Sequence, residues 1–277
     1  MKKVRILFLC FIIAMSTFLS GCTLVDSTLV KLNFKNDDFR YLKESRVEKI
    51  VIQSTRDSGF RFVITDTNAV NDIYNILSDG KVKKEKTSLN PDYYFEVYIG
   101  DEVKKYNYTV SVDERGVGNF YDDEHCYLVS KNLDDTILQN LSTIRKPRNF
   151  EDIYYDTILK VLEKKKSELD DSNNKVGINI SGDVDCLKYM FSVDLKGFET
   201  KMNKIIPGTK LIDNDSSNFD TVITVKNRGY STKVFKTVIT VDNKKDKSYE
   251  TYYVEGVYEY KSWNITVSEP NEKPKNW

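Results

Sequence analysis

From Val47 onward, apolar and polar positions fall into short periodic runs. Lys49-Ile50-Val51-Ile52-Gln53 and Phe60-Arg61-Phe62-Val63-Ile64 read as two strands joined by a turn around Asp57-Ser58-Gly59. Asp66 or Thr67 caps a predicted helix from Asn68 to about Ser78, with Val70, Ile73, Tyr74 and Leu77 on one face and Gly80 as its stop. Tyr93–Ile99 and Lys104–Val112 predict a hairpin across Gly100-Asp101, followed by short strands Gly118–Tyr121 and Cys126–Val129. Leu133, Ile137, Leu138 and Leu141 then share one face of a closing helix, Leu133–Ile144.

Lys146-Pro147-Arg148-Asn149 reads as a linker. Beyond it Phe150, Ile153, Tyr154, Ile158, Val161 and Leu162 keep helical spacing up to Glu168. Strands are expected at Val176–Ile180 and Leu187–Val193, then a short helix Leu195–Ile205 ended by Pro207-Gly208. Thr221–Lys226, Val234–Val241, Tyr249–Glu255 and Val257–Val267 complete the pattern as strands. The fold class is therefore α+β. Two domains are expected, 46–146 and 147–268, each an antiparallel sheet packed by one or two helices. The tail 269–277, with Pro270 and Pro274, is expected to fray.

The first residues follow a different rule. Lys2, Lys3 and Arg5 precede an apolar run, Ile6–Leu19, too short to cross a ~30 Å hydrocarbon core but suited to a signal peptide. The run ends in Leu19-Ser20-Gly21-Cys22, which resembles the lipobox of bacterial lipoproteins. That resemblance implies a cleaved leader, 1–21, and a diacylglycerol thioether on Cys22. It also implies a lipidated tether, 22–45, holding the chain to membrane lipid at the outer face of the cell membrane. Richness in Lys, Asn, Ile and Tyr fits a low-GC Gram-positive host.

A second resemblance rests on the two opening strands and helix, Pro91-Asp92-Tyr93 at a strand entry, Lys105-Tyr106-x-Tyr108, the turn Gly116–Gly118, and Tyr127-Leu128. With these the segment from about Val47 to Ile144 resembles the YhfM-like domain of Gram-positive surface lipoproteins. The resemblance implies location and boundaries. It brings no site residues and no activity.

Composition narrows the chemistry. The chain has 277 residues, with 42 basic and 42 acidic side chains. Removing 1–21 takes away Lys2, Lys3 and Arg5 and leaves 39 basic against 42 acidic. That balance argues against a general nucleic-acid binder. One His excludes a paired-histidine zinc site. No cofactor beyond the lipid on Cys22 is expected, and no catalytic constellation stands out.

Tyr121-Asp122-Asp123-Glu124-His125 reads as a solvated turn, because adjacent strand residues diverge and cannot converge on one metal. Asp213–Asp220 lacks the Gly and Glu of a calcium-binding EF-hand loop. Cys126 and Cys186 either form one bridge or each fill a core position. Tyrosine is the least ordinary feature, at 18 residues. Tyr252, Tyr258, Tyr260 and Trp263 form a candidate binding surface on the last two strands. The expected function is a non-enzymatic binding or accessory module for an envelope protein or cell-wall polymer. The alternative is an envelope hydrolase using scattered carboxylates.

Overall fold

The computed structural model describes residues 35–44, 47–112, 116–133, 146–170, 174–213, 215–275 and 277. Leu19, Ser20, Gly21 and Cys22, the tether up to residue 34, and positions 134–144 of the expected closing helix lie outside the described residues. The fold is α+β.

Fifteen strands and five helices are described. The strands of the first half are β1 (Lys49–Ser54), β2 (Arg61–Ile64), β3 (Lys81–Lys83), β4 (Glu85–Lys86), β5 (Tyr93–Ile99), β6 (Glu102–Tyr108), β7 (Val117–Gly118), β8 (Phe120–Tyr121) and β9 (Cys126–Leu128). Seven of them form one sheet in the order β2-β1-β5-β6-β8-β9-β3, while β4 and β7 make a small parallel pair. Every pairing in the seven-stranded sheet is antiparallel. Alternation chooses the buried face: Ile50 stands opposite Val97 and Ile52 opposite Phe95, and all four are buried.

Two helices accompany this sheet, α1 (Tyr41–Glu44) and α2 (Thr67–Ser78). Asp66 starts α2 by accepting from the backbone N–H groups of Asn68 and Ala69. Val70, Ile73, Tyr74 and Leu77 join the sheet's apolar face in one buried set. Residues 35–44, expected as tether, belong to this core instead. Phe39 is fully buried against the rings of Tyr106, Phe120 and Tyr127, and Leu42 is buried beside it.

The second half holds α3 (Phe150–Leu169), α4 (Val184–Leu187), α5 (Ser192–Ile205) and six strands. These are β10 (Val176–Asn179), β11 (Lys210–Ile212), β12 (Thr221–Tyr230), β13 (Val234–Asn243), β14 (Ser248–Glu259) and β15 (Ser262–Val267), in the order β11-β10-β12-β13-β14-β15. The expected all-antiparallel pattern holds from β12 to β15 and fails at the other edge. There β10 runs parallel to both β11 and β12, because α4 and α5 form the crossover that returns the chain.

Two local expectations are corrected. Leu187–Val193 is not a strand: α4 ends at Leu187, Tyr189 and Met190 fill the core from a turn, and α5 begins at Ser192. The last hairpin turns at Tyr260-Lys261, and Gly256 lies inside β14. Gly256 is needed there because α3 presses on the strand, so that a Cβ would stand 2.4 Å from Ile153 Cδ1.

The tail is docked as well. Thr251 and Asn271 exchange two hydrogen bonds, Ser268 N–H donates to the Tyr253 carbonyl, and Trp277 packs edge-on against Tyr253 at 4.9 Å. Unpaired backbone on the edge of β14 beyond β15 supplies the partners that hold the segment.

Candidate functional site

Period-two alternation gives the second sheet a covered face and an open one. Ile223, Val225, Phe235, Ile239, Val241, Tyr252 and Val254 point into the core. The intervening positions of β12, β13 and β14 form the open face, and the tail folds over it. Arg228, Lys236, Val238, Thr240, Tyr249, Thr251, Tyr253, Lys273 and Trp277 line a groove there of about 580 Å³. Tyr249 is 60% exposed. The Lys236 and Lys273 ammonium groups lie 5.8 and 5.9 Å from the Trp277 ring centroid, so the groove is both aromatic and cationic. Glu255 answers part of the charge through Lys236 at 3.2 Å.

A second concavity, about 640 Å³, opens where the two halves meet, between the Thr55-Arg56 and Ser88–Asn90 segments and the start of α5. Its wall is a polar knot. Asp92 accepts from Arg56 Nη1 at 2.5 Å, from Val110 N–H at 2.9 Å and from Ser192 N–H at 2.8 Å. The Ser192 hydroxyl donates to the Asn90 carbonyl at 2.8 Å and receives Arg56 Nη2. Asp92 thus caps α5 from the other half of the chain. Burial raises the Asp92 carboxyl above its ordinary range, against the pull of Arg56. Burial also lifts Asp194, with the Glu151 and Asp92 charges adding to it, to about 6. Beside them the Tyr155 hydroxyl is buried with no hydrogen-bond partner. This arrangement clamps two halves together and raises the Asp194 carboxyl to about 6.

The predicted surface residues are only partly assembled. Tyr252 is a core residue, 1% exposed, with its hydroxyl donating to Glu250 at 2.6 Å. Tyr258 and Trp263 do meet, edge to face at 5.2 Å, and Trp263 Nε1 donates to the Arg148 carbonyl at 2.9 Å. Tyr260 stands alone at the hairpin tip, 97% exposed. Alternation pairs residues on a face but does not say which face a helix will cover, and α3 covers that of Tyr252. The same period places Tyr249, Thr251 and Tyr253 together, and this was the sequence signal for the groove. Trp277 had none, because its place depends on the tail docking.

The acidic turn behaves as a turn: Asp122 Oδ1 accepts from the N–H groups of Glu124 and His125. Asp215 likewise holds Ser217, and Asp220 accepts from Lys175 N–H. Among the described residues no group of three or more His, Cys, Asp and Glu side chains could hold a metal ion. Cys126 and Cys186 are free and buried, which decides between the two readings of that pair.

Residues 43–147 match the family model described as YhfM protein, a span that ends at the linker before α3. No curated protein and no solved structure matches the chain.

Proposed function

We propose that this chain is a membrane-anchored extracytoplasmic lipoprotein, acylated on Cys22 and held at the outer face of the cell membrane. In this reading the chain from residue 35 to the linker at 146–149 and the chain from α3 through the docked tail are two structural units, and the second carries a non-enzymatic binding site. The observation that carries the proposal is the groove on the open sheet face, where Tyr249, Tyr253 and Trp277 meet Arg228, Lys236 and Lys273. Aromatic rings offer stacking faces to sugar or polyol units, and the cations suit a repeating anion. A cell-wall polymer bearing phosphate or carboxylate fits both, so it is the preferred partner over an envelope protein.

The binding test is retention of the chain from residue 23 onward on purified anionic wall polymer. Tyr249→Ala with Arg228→Ala should release it, and undiminished retention defeats the reading. The anchor is tested separately: Cys22→Ala should leave the membrane fraction. An envelope hydrolase is the alternative. It would draw on Asp194, whose carboxyl near Asp92 and Glu151 is raised to about 6, as a proton donor. Wall material cleaved by the purified chain but not by Asp194→Asn would favour it.

A further inference from the structure

The hairpin between β14 and β15 closes through two residues only, since Glu259 pairs with Ser262. Tyr260 has φ 50° and Lys261 φ 67°, the geometry of a type I′ turn. That turn favours Asn-Gly, because a Cβ at positive φ is strained. Here a bulky aromatic and a long cation occupy both positions, and both are exposed. Tyr260 is the most exposed large hydrophobic residue described. Neither residue suits the turn it makes, and neither packs on the core, so a function of the side chains themselves is indicated.

The surroundings name the partner. Arg148 N–H donates to the Thr232 carbonyl, Tyr258 N–H to the Lys233 carbonyl, and Trp263 Nε1 to the Arg148 carbonyl. Three segments, 146–149, 231–234 and 258–263, are thereby gathered at one tip. They carry Lys146, Arg148, Lys233 and Lys261 against a single acid, Glu259, a surplus of three positive charges. The chain beyond residue 21 is acidic by the same amount, so charge is segregated toward this tip. Arg148 also lies over the Tyr258 ring at 5.5 Å, beside Trp263. Tyr and Trp flanked by Lys and Arg are the composition that settles at a membrane–water interface, and the cations add attraction to anionic lipid.

We propose that the Tyr260–Lys261 tip contacts an anionic phospholipid bilayer, with Tyr260 entering the headgroup region and the surrounding cations facing lipid phosphates. The contact is independent of acylation. Chain lacking residues 1–22 should therefore sediment with vesicles of phosphatidylglycerol and phosphatidylcholine, and only weakly with phosphatidylcholine alone. In Tyr260→Trp the fluorescence should shift to shorter wavelength on the anionic vesicles. Tyr260→Asn with Lys261→Gly restores the sequence the turn prefers, so it should melt at or above the parent temperature. It should bind vesicles at least about five-fold more weakly, the loss expected for one lysine near an anionic surface. Failure of the parent to bind anionic vesicles, or equal binding by parent and double variant, overturns the proposal.

Discussion

The carboxylate of Asp92 accepts the backbone N–H of Ser192 at 2.8 Å, although the two residues lie a hundred positions apart. A helix in one half of the chain is thus capped from the other half. The same carboxylate also holds Arg56 and the N–H of Val110.

Asp92→Leu should therefore cost more than Arg56→Met. The first leaves a mostly buried guanidinium unpaired and strips two backbone N–H groups of their acceptor. The second keeps both backbone bonds. Breaking a buried pair from either side costs about 3–5 kcal/mol, so urea unfolding should place Arg56→Met toward the low end, where the Asp92 carboxyl keeps two N–H donors, and Asp92→Leu toward the high end. The double variant should not return to parent stability, because the orphaned N–H groups remain.

Asp194 sets a pH dependence. Its carboxyl is raised in the folded chain to about 6 from an ordinary 3.8, by burial first and by Glu151 and Asp92 second. The folded state then binds more protons than the unfolded state between those values, so this group's contribution to stability falls as pH rises from about 4 to 6. Asp194→Asn should flatten that slope and raise the melting temperature at pH 7.5, with little change at pH 4. A melting curve series across that interval reads it, and an unchanged slope would count against the assignment.

Much of the first sheet is legible in the residues themselves. Tyr93–Ile99 has its boundaries where aromatic and branched residues alternate up to Gly100, whose φ of 58° begins the turn. Asp66 announces α2 by an ordinary local cap. What was hidden depends on distant partners. The start of α5 waits on Asp92, and the apolar spacing of 187–193 imitates a strand for want of that information. Gly256 imitates a turn because a glycine demanded by the approach of Ile153 looks, in one dimension, like one demanded by φ. Of the four aromatic residues singled out, Tyr252 was lost to the core once α3 chose its side of the sheet.

Gly256 gives the sharpest packing test. A methyl group at that position meets Ile153 Cδ1 at 2.4 Å, so Gly256→Ala should destabilise by roughly 1–3 kcal/mol as an overpacked core site. Ile153→Val should restore part of the loss in the Gly256→Ala background while being mildly destabilising alone. A denaturation double-mutant cycle gives the coupling directly, and additive losses would show that strand and helix do not press on each other.

The thiols should be silent in the native chain. Cys186 is fully buried, and burial with the neighbouring Asp183 pushes its pKa up. The Cys126 thiol is likewise raised by burial and bonds the Lys83 carbonyl at 3.1 Å. A chain begun at residue 23 should react slowly with Ellman's reagent until urea is added and then release two equivalents. Its gel mobility should be the same with and without reductant.

The parallel edge of the second sheet bears on the order in which the polypeptide can be completed. β10 lies between β11 and β12, and both neighbours are synthesised after it. α3 rests on β13, β14 and β15, which come later still. During translation the flank of α3 that faces β13, β14 and β15, and the side of β10 that pairs with β12, therefore stay bare until Thr221 and its successors have emerged. Chains stopped short of Thr221 should be degraded by protease from Phe150 onward, whereas their first sheet, complete by Leu128, should persist as a fragment.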